Sequence, residues 1–185
     1  MKKLRSNHNP MNAHEKKAVI SLSGVFGLRM FGLFLVLPMI ALYVSGLHGA
    51  TPLLIGLSLG IYGLTQAVFQ IPFGILSDHF GRKPLIVFGL AIFCLGSIVA
   101  AVADTALWVI IGRALQGSGA VAAVILAFVS DLTRDQQRIK AMAIIGISMG
   151  GSFLLALMAG PILDQLIGVS GLFWITAILS LLAIV

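Results

Sequence analysis

The 185-residue chain is 59% apolar and only 10% charged, whereas a water-soluble domain is about a quarter charged and about 45–50% apolar. A chain of this size lacks the polar surface to cover so much Leu, Ile, Val, Phe and Ala, which excludes a soluble enzyme, a disordered tail and a secreted disulfide scaffold and leaves an integral membrane protein. The net charge of +6 is explained by location: ten of the twelve Lys and Arg fall in an N-terminal tail and two loops, as membrane topology requires and nucleic-acid binding does not.

A hydrocarbon core of about 30 Å takes about 20 helical residues, and charges together with Gly and Pro breakers divide the chain into six segments of that order. The tail, residues 1–17, holds Lys2, Lys3, Arg5, Lys16 and Lys17. The first span runs from about Ala18 to Ser45 and contains Arg29. It is longer than the roughly 7–15-residue core of a cleaved signal peptide, so it is expected to be retained. Pro38 inside it frees a carbonyl and suits a hinge. After the break Gly46–Pro52 a second span covers Leu53 to Leu76, with Gly56, Gly60, Gly63, Ala67 and Gly74 at spacings that let helix backbones approach in lipid. Tyr62, Gln66 and Gln70 share one face of it and are candidates for the substrate path, interhelical hydrogen bonding being the alternative role. Phe69 and Phe73 read as packing residues.

The segment Asp78–Pro84 is the first dense polar loop. A third span, Leu85–Ala103, encloses the single cysteine, Cys94, which supports neither a disulfide nor a metal site. Asp104 and Thr105 mark a tight turn. The fourth span, Ala106–Ser130, contains Arg113, and Asp131–Lys140 is the second dense loop. The fifth span, Ala141–Leu163, carries Gly146 and Gly150. After Asp164 a sixth begins near Gly168 and is still apolar at Val185. These continuous apolar runs lack the alternation of barrel strands, so the expected fold is an all-α membrane bundle. Lys and Arg number ten in the tail and the loops after spans two and four, and none in the loops after spans one, three and five. That asymmetry puts the N-terminus in the cytoplasm.

Two charges remain inside the spans. Arg29 lies roughly 17 Å from the cytoplasmic end of its helix and Arg113 roughly 10 Å from the outer end of its own. Each costs about 2.5–3.5 kcal/mol near the bilayer centre, and ionisable groups kept at that cost usually face the bundle interior or a wet cavity. Arg113, Gln116, Gly117 and Ala120 fall on one helical face, read here as a water-accessible groove. No acid lies within a span: Glu15, Asp78, Asp104, Asp131, Asp135 and Asp164 sit in the tail or at span ends. A proton carrier, if one operates, is therefore not an evident residue of this chain. In the first loop Gly81 permits a reversal, Pro84 suits a first helical turn, Asp78 can accept from N–H groups at a helix start, and Arg82 can pair with Asp131.

That loop, Gly74-x-Leu76-x-Asp78-x-x-Gly81-Arg82-Lys83, resembles the signature between helices two and three of the major facilitator superfamily, with His79 where the family often has Arg. The run from Arg113 through Gln116, Gly117 and Gly119 to Ala120 is similar to the helix-four motif of its drug/proton antiporters, and Gly60–Gln70 is similar to the YajR-type bacterial inner-membrane transporters. Gly160-Pro161 matches part of the helix-five antiporter signature, while Ala156, Asp164 and Gln165 depart from it. The resemblance implies one half of a twelve-helix fold with 3+3 inverted repeats. It further implies proton-coupled efflux of a small amphipathic compound from the cell inner membrane. Arg113, Gln116, Gly117 and Arg29 would serve transport and proton coupling. Gly74, Asp78, Gly81, Arg82, Lys83 and Asp131 would form a cytoplasmic gate, and Pro38, Gly160 and Pro161 hinges. The expected partners are the lipid bilayer, a small-molecule substrate, protons and a second six-helix bundle, either a C-terminal half or a second copy. No nucleic acid, cofactor, metal or enzymatic activity is expected. The alternatives are a facilitator or symporter of a sugar or metabolite, or a truncated half-transporter that is inactive without a second bundle.

Overall fold

The computed structural model describes residues 10–184, so the tail cations Lys2, Lys3 and Arg5 lie outside the described residues. Among the described residues seven helices are formed: α1 (Ala13–Val36), α2 (Ile40–Ser45), α3 (Pro52–Phe80), α4 (Arg82–Ala101), α5 (Ala106–Ser118), α6 (Ala122–Leu132) and α7 (Asp135–Ile184). They map onto the six expected spans, because α1 and α2 share one, α5 and α6 share another, and α7 holds two.

The boundaries differ from expectation wherever polarity was taken for a loop. Helix α1 begins at Ala13, not Ala18, since the Asn12 N–H donates to the Glu15 carboxylate at 2.8 Å and so closes the first turn. The segment Asp78–Pro84 is almost wholly helical: α3 runs to Phe80, α4 starts at Arg82, and Gly81 alone reverses the chain at φ 90°. A side chain is disfavoured there. The second polar segment narrows likewise to Thr133 and Arg134. Helices satisfy their own backbone in water as in lipid, so they continue past the hydrocarbon edge until a cap stops them. Asp164 interrupts nothing, so the fifth span runs on past Leu163, but the non-helical Gly168 (φ 68°) divides α7 into two helical arms and the sixth span begins there, as expected. Span one loosens to a turn at Leu37–Met39 around Pro38, where Leu37 and Met39 keep right-handed helical dihedrals, and span four, read as continuous, breaks at Gly119–Val121.

Helix α1 packs between the two arms of α7. The hydroxyls of Ser148 and Ser152 in the first arm donate to the Ser23 and Gly27 carbonyls at 2.7 and 2.9 Å, and Thr176 in the second arm donates to Gly32 at 3.0 Å. Helix α4 sits between the second arm, where Ser180 donates to the Leu90 carbonyl at 2.8 Å, and α5. Its contact with α5 is backbone on backbone: a Cβ at Gly96 would lie 2.6 Å from the Gly112 carbonyl. Small residues thus bring helices together, but not the ones expected. Gly56, Gly60, Gly63 and Gly74 on α3, and Gly146 and Gly150 on α7, have nothing within 4 Å of where a Cβ would stand. Those rows lie on faces this bundle leaves open, and α3 carries exposed Leu53, Leu64, Val68 and Ile71 beside them.

Candidate functional site

Both intramembrane arginines are completely enclosed, Arg29 at 0% and Arg113 at 1% exposure, and one tyrosine joins them. Tyr62 of α3 accepts from the Arg29 guanidinium at its hydroxyl, 3.2 Å away, while the Arg113 guanidinium lies 4.8 Å above its ring. Arg113 also donates to the Gln116 side-chain oxygen at 3.0 Å and, more distantly, to the Ser58 carbonyl at 3.5 Å. Gln116 donates onward to the Ser97 hydroxyl at 2.8 Å, and Ser97 to the Phe93 carbonyl at 2.8 Å. Phe93 closes the ring of contacts, for its aromatic face lies 5.1 Å from the Arg29 guanidinium. Desolvated cation–π pairs of this kind are worth about 2 kcal/mol.

The break in span four belongs to this site. With Gly119 outside helical geometry, its carbonyl accepts from Arg29 at 3.2 Å. Nothing in the composition flags that role; the one sequence signal is the run Gly117-Ser118-Gly119. Gly119 and Gly117 are also where α4 and α3 press closest, against the Gly89 carbonyl and against Tyr62 and Thr65 respectively.

The expected groove is not there. Arg113, Gln116 and Gly117 do share a face of α5, while Ala120 falls in the break beyond its end, and all four are buried, because Ser58 and Tyr62 of α3 and Ser97 of α4 pack against the face. Nor does Tyr62 belong with Gln66 and Gln70 on an open path. It is buried between the arginines, whereas Gln66 and Gln70 are half-buried and the Gln66 side-chain oxygen has no hydrogen-bond partner. No described carboxylate contacts either guanidinium. Arg29 Nε and Nη1 and Arg113 Nη2 are buried without a partner, and unmet charged donors cost more than neutral ones. The site therefore holds two positive charges with spare donors and no counter-ion of its own.

A second charge cluster lies at the end of the bundle where α3 turns into α4. Arg82 pairs with Asp78 at 2.7 Å and with Asp131, at the end of α6, at 3.0 Å, and it also donates to Ser77. The pairing of Arg82 with Asp131 matches the sequence expectation. Asp78, however, lies in the last turn of α3 with its carboxylate on Arg82, not on the N–H groups of a helix start. Gly81 makes the reversal and Pro84 stands in the first turn of α4, as expected. Lys83 is exposed and takes no part in this cluster. Gly74 faces open space. Of the hinge candidates, Pro38 marks an interruption, and Gly160 packs against α1, a Cβ there standing 3.0 Å from the Leu35 carbonyl; Pro161 follows within α7.

Comparison with known proteins gives the family of the chain. The family model described as Major Facilitator Superfamily matches residues 22–185. The chain is 55% identical over 174 residues to the inner membrane transport protein YajR of Escherichia coli K12, covering 94% of this chain and 38% of that protein. It is 36% identical over 115 residues to the class B tetracycline resistance protein of Escherichia coli, covering 61% of this chain and 27% of that one. A crystal structure of a mutant peptide transporter POT with alafosfalin superposes with a TM-score of 0.79 at 19% identity, covering 91% of this chain and 37% of the other. That likeness speaks to the fold, and the chain spans less than half the length of the curated relatives it matches.

Proposed function

Because the chain belongs to the major facilitator superfamily of multi-pass membrane transporters, we propose that it forms the first six-helix half of a carrier that exports a small amphipathic compound in exchange for protons by alternating access. The observation behind this reading is the enclosed pair Arg29 and Arg113, bridged by Tyr62 and lacking any described carboxylate. Two buried cations favour the ionised form of any acid brought near them. Because α3 and α4 side chains enclose both guanidiniums, their uncompensated charge would act through α3, and an acid on the opposing bundle or the substrate would lose its proton on nearing that face and regain it on retreat, so protonation follows rocking. Arg113 and Gln116 are the coupling residues in this scheme, Arg29 the second cation, and Gln66 and Gln70 line the path. Support for export comes from the relative named for tetracycline resistance and from the helix-four resemblance.

The second bundle would cover the glycine rows of α3 and the first arm of α7, which this half leaves bare. Asp78, Arg82 and Asp131 would brace the cytoplasmic gate as a charge network biasing a two-state element, with the N-terminus on the cytoplasmic side of the inner membrane. Efflux from cells expressing the complete protein tests the reading. Arg113→Ala should abolish export while membrane insertion persists, and a protonophore should abolish export by the wild type. Export that survives Arg113→Ala would remove the role assigned to that residue. Survival in protonophore would favour the second reading, a facilitator or symporter, to which the departures at Ala156, Asp164 and Gln165 already point.

A further inference from the structure

The end of the bundle that carries the Arg82 cluster also opens a cleft of about 360 Å³ between α1, the start of α4 and the end of α6. Its rim is cationic and polar, formed by His14, Lys17 and Ser21 from one face of α1 and by Lys83 from α4, and its inner wall is apolar, including Leu22, Phe128 and Leu132. His14, Lys17 and Ser21 stand three and four residues apart, so they line one stripe of a helix. The apolar stretch of α1 starts at Ala18, which places this rim at the water boundary of the membrane, Leu22 about one turn into the hydrocarbon and Phe128 just inside the end of the fourth span.

Among the described residues, charge pairing at this end leaves Lys16, Lys17, Lys83 and Lys140 without a carboxylate, and of these Lys17 and Lys83 line the cleft. Glu15 is held by Arg134, Asp78 and Asp131 by Arg82, and Asp135 by Arg138. The remaining acids, Asp104 and Asp164, sit toward the opposite end of the spans. Every carboxylate within reach is thus committed to an arginine, while Lys17 and Lys83 face the cleft with no ion pair or hydrogen bond among the described residues. Ammonium groups above an apolar wall at membrane depth fit a phosphate with hydrocarbon attached, as basic pockets between spans bind anionic headgroups.

We propose that this cleft binds the phosphodiester headgroup of an anionic phospholipid, Lys17 and Lys83 contacting the phosphate, Ser21 donating to a headgroup oxygen, and an acyl chain running past Leu22 and Phe128. The proposal rests on the membrane-spanning reading but on no particular substrate or coupling ion. The test is native mass spectrometry of the full-length protein released from nanodiscs of mixed phosphatidylglycerol and phosphatidylcholine, read beside a transport assay. The wild type should retain phosphatidylglycerol selectively. Lys17→Gln with Lys83→Gln should weaken that retention by about thirtyfold, the effect of removing two charges at about 1 kcal/mol each. Lys16→Gln, off the cleft, should leave it unchanged, and thermal melting of the double variant should show that it is folded.

Equal retention of the two lipids, or retention unaffected by the double variant, overturns the proposal. So does displacement by free glycerol phosphate at the same concentration as lipid, which would assign the site to a soluble phosphate. Protection of Lys17 and Lys83 from amine labelling in lipid-free detergent overturns it too, because protein would then fill the cleft. Loss of export with lipid retention intact would count against the transport reading alone.

Discussion

Tyr62 serves two cations at once, and its two halves can be separated. Tyr62→Phe keeps the ring beneath Arg113 but leaves Arg29 with the Gly119 carbonyl as its one hydrogen-bond acceptor among the described residues. Losing an acceptor for a buried charged donor costs about 1–3 kcal/mol, so the purified protein should melt several degrees lower. Tyr62→Ala removes the ring as well and should cost more; equal melting of the two variants would show that the hydroxyl alone matters. Glu15 is a residue-scale determinant of another kind. Its hydrogen bonds from Arg134 and from the Asn12 N–H hold the carboxyl at about 2, below the ordinary 4.5. The folded state thus favours the ionised form, and the stabilisation is fully present above about pH 4.5 and is lost as pH falls toward 2. Glu15→Gln should lower the melting temperature at pH 7, and the gap from wild type should narrow steadily below pH 4.5. Little of this was legible in the sequence. The positions of Arg29 and Arg113 were, because a charge in an apolar run stands out, but a tyrosine in a glycine-rich helix gives no sign that it lies between them. The groove misread has the same origin, since helical spacing shows which residues share a face and not whether a neighbour covers it.

At the scale of helices, small residues divide into those that seat a neighbour and those that do not. A Cβ at Gly96 would stand 2.5 Å from the Gln116 backbone nitrogen and 2.6 Å from the Gly112 carbonyl, where backbone must shift to make room. Gly96→Ala should therefore destabilise the bundle by about 1–3 kcal/mol and misplace Gln116. Gly60→Ala meets open space and, with the better helix propensity of alanine, should leave this half as stable or up to about 1 kcal/mol more so. Thermal melting of the pair distinguishes the two classes, and equal loss at both positions would contradict the packing described. From sequence the rows on α3 and α7 looked like the tight ones because they are longest. Gly96 meets Gly112 of another helix, and Gly89 meets Gly119 in the break after α5, contacts that periodicity along one helix cannot reveal. Span boundaries erred for a related reason: hydropathy finds the edge of the hydrocarbon, whereas a helix ends at Gly81 or at Thr133, where backbone geometry changes.

Over the whole molecule, the spans and their order were readable, since each is a property of runs of residues. Arg82 links α3 to α6 through exposed carboxylates, and such pairs contribute about 0–1 kcal/mol. In the proposed carrier that is enough to shift a two-state equilibrium by up to about fivefold, so Asp131→Asn should move the population toward the state open at the cytoplasmic end, read from spin-label distances between bundles. An unchanged distribution would leave the cluster with a purely local role. The bare glycine faces of α3 and the first arm of α7 have a genetic consequence. In the proposed carrier, a polypeptide consisting of these 185 residues would present to its surroundings the same faces that a second bundle would cover. Produced in excess beside the intact protein, it should capture newly made second halves before their own partners dock, and so act as a dominant-negative inhibitor whose strength grows with its dosage.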